Sequence, residues 1–121
     1  MGDTRAKGRH GEELAAAYLI KHGFRIIEKN YRNHFGEIDI IAEEAGTVVF
    51  IEVKLRNLIS YGHPVTAVDK WKQMRLSRIA AGYITEKRLT ERPCRFDVVS
   101  IYKGNIELIK DAFELSEGIS W

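Results

Sequence analysis

The sequence of 121 residues lacks the marks of several protein classes. Its single cysteine, Cys94, excludes an internal disulfide framework and fits a reducing compartment. No apolar run approaches the roughly 18 residues that span a bilayer, so we expect no membrane partner. The first residues are polar and basic with no apolar segment behind them, which argues against a secretory signal. We therefore expect one cytoplasmic domain covering residues 1–121.

Several kinds of site are also missing. The net charge is only +2, so charge by itself is weak support for binding to nucleic acid. The four histidines lack the spacing of a zinc pair, and there is no glycine-rich phosphate loop or G-x-S-x-G sequence. Cys94 stands beside Pro93 in a predicted loop and offers no credible nucleophile.

What the sequence does contain is an ordered series of helix and strand patterns. A first helix is predicted from Arg9 to His22, with Gly23 as its stop. A second begins after a cap at Thr66 or Asp69 and ends near residue 86. Strand patterns cover residues 24–32, 37–43, 47–56, 95–102 and 106–113. The order α-β-β-β-α-β-β predicts an α/β fold with a central mixed five-stranded sheet flanked by helices.

Each predicted helix has one apolar face. In the first helix this face comprises Leu14, Ala15, Tyr18 and Leu19, and in the second Val68, Leu76, Ile79, Ala80 and Tyr83. Glu12 falls on the border of the first face, whereas Glu13 points to the opposite side. Glu12 is therefore the glutamate able to lean over the sheet. An ordinary first-turn acid favoured by the helix dipole is the alternative interpretation.

Charged residues interrupt two segments that otherwise have the pattern of buried strands, Gly36-Glu37-Ile38-Asp39 and Phe50-Ile51-Glu52-Val53-Lys54. Such charges are unfavourable unless they are paired or bind metal. Because a strand alternates its faces, Glu52 and Lys54 project to the same side. The other side, which includes Ile38, Ile40 and Ile51, is apolar and is predicted to face the core.

A two-residue loop at Ala45-Gly46 fixes the predicted register of these two strands. It sets Ile41 against Phe50, Asp39 against Glu52, and Glu37 against Lys54. We expect the last pair to be a simple cross-strand ion pair. Asp39 and Glu52 are like charges, which destabilises a sheet by up to about 1 kcal/mol. A divalent cation between them would remove that penalty, whereas a solvated polar face of the hairpin is the alternative.

These residue types suit a divalent cation. Mg²⁺ and Mn²⁺ accept hard oxygen ligands, which Asp39, Glu52, the backbone carbonyl of Val53 and the carboxylate of Glu12 can supply. Lys54 lies too far to ligate the ion, but it can orient an attacking water or neutralise negative charge that develops on a phosphate.

The second helix carries the candidate contacts to nucleic acid. Lys70, Arg75 and Arg78 lie outside its apolar face or at the rim and can meet phosphates. Lys72 falls inside the apolar sector, so it either extends past the sheet edge or points back towards Glu52 and Lys54. Gln73 lies beside it as a weaker candidate. The alternative for each residue is a solvated basic face.

The chain resembles the YraN-like family of small bacterial proteins over nearly its whole length. The residues that carry this resemblance are Gly8-Arg9-His10-Gly11-Glu12-Glu13-Leu14-Ala15, Tyr18-Leu19, Gly23-Phe24, Asn30-Tyr31-Arg32, Gly36-Glu37-Ile38-Asp39-Ile40-Ile41-Ala42, Phe50-Ile51-Glu52-Val53-Lys54, Tyr61-Gly62-His63-Pro64 and Ala67-Val68 to Lys72. That family is similar to archaeal Holliday junction resolvases and to the restriction-endonuclease-like superfamily with its PD-(D/E)xK signature.

The resemblance implies a restriction-endonuclease-like fold and a set of catalytic residues. Asp39 matches the first metal acid of the superfamily, Glu52 the second acid, Lys54 the lysine and Glu12 the glutamate of the first helix. Ile38 stands where the signature has proline. The implied function is a Mg²⁺-dependent endonuclease acting on branched or structured DNA, and the alternative is a nucleic-acid-binding module without catalysis.

The resemblance also implies a partner and an assembly. The substrate class is nucleic acid, with DNA favoured over RNA, and either Mg²⁺ or Mn²⁺ fits the site. Resolvases act as dimers, so a homodimer is an expectation here. Leu58, Ile59 and Trp121 are the candidate residues for its surface.

Overall fold

The computed structural model describes residues 4–56 and 69–115, and for residues 4–8 only the backbone. Two helices and five strands follow one another in the predicted order. They are α1 (Thr4–Lys21), β1 (Arg25–Asn33), β2 (Gly36–Glu44), β3 (Thr47–Arg56), α2 (Lys70–Glu86), β4 (Cys94–Tyr102) and β5 (Asn105–Phe113). The predicted order α-β-β-β-α-β-β is confirmed, with α1 beginning earlier than expected.

The five strands form one mixed sheet in the order β1-β2-β3-β4-β5. Neighbouring strands are antiparallel except β3 and β4, which are parallel. A parallel pair needs a crossover connection, and α2 lies in the segment that connects these two strands. The mixed five-stranded sheet is therefore confirmed.

The predicted hairpin between β2 and β3 has a loop of two residues. Ala45 (φ 49°) and Gly46 (φ 85°) both adopt left-handed conformations, as the tight hairpin turn with two such residues requires. The register follows from this loop, and Ile41 lies opposite Phe50 as predicted. The loop sequence was therefore sufficient to set which side chains face one another near the turn.

Both faces of the sheet are covered, which corrects the expectation of a single core side. The α1-side core contains Ala15, Ala16, Leu19, Phe24, Ile40, Ala42, Val49, Ile51, Val99 and Ile101. The α2-side core includes Ile41 and Phe50, which the register had assigned to the polar face. Because the parallel β3–β4 pair sits between two helices, its residues are buried on both sides.

The buried face of α1 consists mainly of small residues. Gly11, Ala15 and Ala16 are buried, whereas Leu14, predicted to lie in the core, is 36% exposed. The prediction for Leu14 is wrong because the face is centred on residues that allow close approach. A Cβ atom at Gly11 would lie only 2.7 Å from Leu55 Cδ2. The helix therefore packs tightly on β3 beside Glu12.

The boundaries of both helices follow from local sequence. Gly23 (φ 93°) ends α1, and the backbone N–H of Phe24 donates to the carbonyl of Leu19 at 3.0 Å. Asp69 caps α2 by accepting the backbone N–H of Lys72 at 2.8 Å. Of the two caps considered for α2, Asp69 is confirmed and Thr66 lies outside the described residues, as does Val68.

Neither of the two described helices is long and apolar enough to cross a membrane. Cys94 is the first residue of β4 rather than part of a loop. Burial raises the pKa of its thiol to about 11, so the thiol stays protonated and is a poor nucleophile.

A buried ion pair links β4 to β2 and β5. Asp97 is fully buried, and its Oδ1 accepts hydrogen bonds from Arg95 Nε and from the backbone N–H of Asp111, both at 2.9 Å. Arg95 also contacts Glu44 at 2.6 Å, and Lys110 contacts the same carboxylate at 2.9 Å. This cluster is satisfied internally and therefore has a structural role.

We predict that Arg95→Met lowers the free energy of unfolding by about 3–5 kcal/mol, because it leaves the buried Asp97 carboxylate without its cation. The matched control is Lys110→Met, which removes a cation that is 52% exposed and should lower stability by no more than about 1 kcal/mol. Urea denaturation of the two variants measures the difference. Equal, small losses in both would contradict the structural role of the Arg95–Asp97 pair.

Candidate functional site

The candidate site lies where β2 begins and β3 ends. The regular pairing of these strands ends at Ile40 and Ile51, one pair before Asp39 and Glu52. Beyond that point, Asp39 Oδ2 accepts a hydrogen bond from the backbone N–H of Val53 at 2.8 Å. The Asp39 side chain thus accepts a hydrogen bond that a backbone carbonyl of β2 would accept in a regular ladder. The Asp39 carboxylate is therefore held at the point where the strands separate.

The alternation of side chains along β2 is interrupted at the same residue. Ile40 packs in the α1-side core, whereas Ile38 and Ile41 both pack in the α2-side core. A regular strand would place Ile38 and Ile40 on one face, as the sequence predicted. On β1, Asn30 lies between the residues paired with Ile40 and Ile38, and it has a left-handed conformation (φ 55°). Asp39 therefore sits at a break in the alternation of β2, which a period-two pattern could not reveal.

Three carboxylates converge at this break. Oxygen atoms of Glu12, Glu37 and Asp39 all lie within 4.8 Å of one another. Glu12 comes from α1, as its position on the helix predicted, whereas Glu13 is exposed. Glu37 and Asp39 come from β2. We call these three residues the acid cluster.

Glu37 is the member of the acid cluster that sequence reasoning missed. The prediction paired it with Lys54, but its carboxylate instead accepts a hydrogen bond from Arg32 Nη2 at 2.6 Å. The prediction was wrong because it extended the register past the end of the ladder. The local signal available was its place two residues before Asp39, but the break in alternation at Asp39 means that a period-two pattern does not decide whether the two carboxylates meet.

The buried position of Asp39 changes its protonation. Burial raises the pKa of Asp39 to about 7, and the nearby carboxylates of Glu52, Glu12 and Glu37 act in the same direction. The hydrogen bond from the Val53 N–H opposes this shift without cancelling it. The carboxylates repel one another in this half-buried position, and a divalent cation bound between them would offset the repulsion.

Glu52 lies on the α2 side of the same site and is paired with a lysine. Lys72 Nζ lies 2.9 Å from Glu52 Oε1, so of the two orientations considered for Lys72 the one pointing back to the sheet is confirmed. Burial and the neighbouring Lys72 ammonium lower the pKa of Lys54. Although burial favours its neutral form, Lys72 has a raised pKa because it bonds to Glu52. Lys72 therefore stays protonated to a higher pH than Lys54 does.

All the predicted catalytic and metal-binding residues line one pocket of about 350 Å³. This acidic pocket is lined by Glu12, Asp39, Glu52, Val53, Lys54 and Leu55. The structure therefore brings together residues from α1, β2 and β3 that are far apart in the sequence. Their roles in metal binding and catalysis stay predictions.

The residues predicted to contact nucleic acid lie along the first half of α2. Lys70, Arg75 and Arg78 are exposed, whereas Lys72 and Gln73 are half-buried. Several of them line a second depression of about 570 Å³, which we call the α2 groove. Its lining consists of His34, Phe35, Asp69, Trp71, Lys72, Met74, Arg75 and Arg78. The aromatic members were not predicted. The dimer candidates Leu58, Ile59 and Trp121 lie outside the described residues.

The sequence matches a known family over most of its length. The model of the uncharacterised protein family UPF0102 matches residues 11–101, so the chain belongs to that family. A UPF0102 protein of Syntrophus aciditrophicus is 54% identical and covers 98% of this chain and 96% of its own length. Those of Persephonella marina and Moorella thermoacetica are 42% and 44% identical; each alignment covers 90% of this chain, and 94% and 96% of theirs. These matches confirm the YraN-like resemblance.

Among solved structures, that of Pyrococcus furiosus SfsA in complex with Ca²⁺ is similar at a TM-score of 0.40 and 16% identity. The alignment covers 89% of this chain and 62% of that one. A likeness at this level supports no argument about fold or function. The similarity to Holliday junction resolvases stays a prediction.

We predict that the metal-free protein loses stability as the pH rises from about 4, the usual pKa of an aspartate, to about 7. In that range the folded state keeps a proton on Asp39 that the unfolded state releases, so the folded state binds more protons and deprotonation favours unfolding. The Asp39→Asn variant keeps an acceptor for the Val53 N–H without the charge. Its stability should fall less over the same range.

The measurement is the midpoint of urea denaturation at a series of pH values with a chelator present. The comparison of Asp39→Asn with the unaltered protein isolates Asp39 from the other titrating groups. Parallel stability curves for the two proteins would contradict a raised pKa at Asp39.

Proposed function

We propose that this UPF0102 protein is a metal-dependent endonuclease that hydrolyses phosphodiester bonds in branched or otherwise structured DNA. The observation that carries the proposal is the position of Asp39. Its carboxylate is fixed by the Val53 N–H at 2.8 Å, and it lies within 4.8 Å of two more carboxylates. A binding module would gain nothing from acids gathered where a phosphate must approach.

The donor set fits a hard divalent cation. Mg²⁺ and Mn²⁺ prefer carboxylate and carbonyl oxygens, and Mg²⁺ keeps several waters, so three or four protein ligands are sufficient. Glu12, Glu37 and Asp39 would hold the ion, with the Val53 carbonyl as a further ligand. The raised pKa of Asp39 supports this fit, because it reflects burial and neighbouring carboxylates, which a bound cation would offset. When bound, such an ion lowers the pKa of water and stabilises negative charge on phosphate.

Lys54 and Lys72 have different roles in this proposal. Lys54 lines the acidic pocket, where it orients the attacking water or neutralises the charge that develops on the phosphate. Lys72 holds Glu52 at 2.9 Å. If Lys72 turns to a substrate phosphate, the Glu52 carboxylate becomes available as the second metal acid. In the reaction, the water oxygen bonds to phosphorus, an ester P–O bond breaks, and the leaving oxygen takes a proton.

A second candidate is a nucleic-acid-binding module that does not cut. It is favoured by the Glu52–Lys72 ion pair, which neutralises one predicted metal acid, and by the exposed Arg75 and Arg78. This candidate predicts salt-dependent binding that does not depend on Asp39 or Glu52. A cytoplasmic location and a homodimer stay predictions under both candidates.

We predict that the protein cleaves at least one member of a panel of duplex, branched and looped DNA and RNA when Mg²⁺ or Mn²⁺ is present. Asp39→Asn should lower the rate by about 100-fold or more, because it removes a charged ligand while keeping the hydrogen bond to Val53. Glu37→Gln should lower it by about tenfold or more. Gel analysis of end-labelled substrates measures the rates.

The matched control is Glu13→Gln, which removes an exposed acid from the turn of α1 that carries Glu12. It should leave the rate unchanged. Cleavage that persists in both Asp39→Asn and Glu52→Gln would defeat the assignment of the site. Tight binding of the nucleic acids, without cleavage by the unaltered protein in either metal, would favour the binding module.

A further inference from the structure

The α2 groove combines exposed aromatic rings with cations. Trp71 is 80% exposed and Phe35 is 40% exposed, and both line the groove. Phe35 lies in the β1–β2 turn, with the ring of His34 4.0 Å from its own, centroid to centroid. Exposed apolar residues that are grouped, rather than scattered singly, mark interaction sites. Here they belong to two elements that approach each other, so they form part of one shaped surface.

The charge of the groove is positive and largely uncompensated. Arg75 and Arg78 are exposed, and no carboxylate in the described parts of the chain lies within ion-pair distance of either. Lys72 lies at one end of the groove. The one lining acid, Asp69, accepts the backbone N–H of Lys72 at 2.8 Å as the cap of α2. A ligand of the groove is therefore expected to carry negative charge as well as flat apolar surface.

The groove and the acidic pocket are adjacent, because an ion pair joins a residue of one to a residue of the other. Lys72 lines the groove, and its ammonium lies 2.9 Å from Glu52, which lines the acidic pocket. A chain of phosphates bound along Arg78 and Arg75 would therefore lead to Lys72 and then to the acidic pocket. The two depressions can hold consecutive parts of one ligand.

From these observations we propose that the α2 groove binds unpaired nucleotides, with their bases stacked on Trp71 and Phe35. Stacking needs an exposed base face, which a continuous duplex does not offer, and the cations supply contacts to the phosphates. An apolar peptide would match the rings but would leave Arg75 and Arg78 without partners. Resting on the proposed function, the inference names the substrate class as nucleic acid with a single-stranded segment next to the scissile phosphate.

The experiment measures how far the contribution of Trp71 to affinity depends on the presence of bases in the ligand. Fluorescence polarisation with a chelator present gives the affinity for a labelled oligothymidylate and for an abasic strand of equal length, which keeps the phosphates but lacks bases. Trp71→Ala should weaken binding of the oligothymidylate by about tenfold and leave binding of the abasic strand unchanged. Trp71→Phe, which keeps a ring, should restore most of the affinity.

Two controls separate stacking from other effects. Arg75→Gln should weaken binding of both strands equally and reduce the salt dependence, because it removes a phosphate contact. Ile20→Ala changes another exposed apolar residue, 60% exposed on α1, and should affect neither strand. In a Trp121→Phe protein, Trp71 is the remaining tryptophan, so quenching of its fluorescence by the oligothymidylate but not by the abasic strand reports stacking directly.

The outcomes distinguish this inference from the proposed function because no cleavage is needed. Base-dependent coupling in a protein that cuts nothing would support the groove and defeat the nuclease. Cleavage with equal losses for both strands in Trp71→Ala, or with no loss, would support the nuclease and overturn the stacking role. Failure of both strands to bind would overturn the groove, and so would base-independent quenching.

Discussion

The hydrogen bond from the Val53 N–H to Asp39 is the interaction on which the site depends. It ends the regular ladder between β2 and β3 and fixes a carboxylate in the gap between them. Because the gap opens between two covered faces of the sheet, Asp39 is half-buried but still reached by Glu12 from α1 and by Glu37 from its own strand. The raised pKa of Asp39 follows from this position. A shallower site would leave these acids screened by water.

The lysines connect this pocket to its surroundings. Lys72 is far from β3 in the sequence, yet α2 brings its ammonium to Glu52. The pair neutralises Glu52. In the acid cluster Arg32 pairs with Glu37, whereas neither Glu12 nor Asp39 has an ion pair within the described parts of the chain. The Glu52–Lys72 pair also joins the acidic pocket to the groove that contains Trp71. Charge arrangement, rather than net charge, is therefore what distinguishes this surface, since the whole chain is only at +2.

The order of elements, the tight hairpin at Ala45-Gly46 and its register were predictable because they depend on local turn chemistry and periodicity. The convergence of Glu12 and Asp39 followed from helix phase and from the acids in the strands. The acid Glu37 and the exposure of Leu14 were not predicted. Both errors arose from tertiary packing: the strands separate earlier than a regular ladder would, and α1 packs through small residues. Trp71 was missed because the apolar period of a helix identifies its buried face and does not identify exposed aromatic residues.

The most direct test of the account is where a divalent cation binds. Crystals grown with Mn²⁺, with data collected near the manganese absorption edge, locate the ion by its anomalous scattering. The account predicts a peak within coordination distance of the carboxylates of Asp39, Glu12 and Glu37. A peak elsewhere, or well-ordered carboxylates of these residues with no peak between them at saturating Mn²⁺, would contradict it.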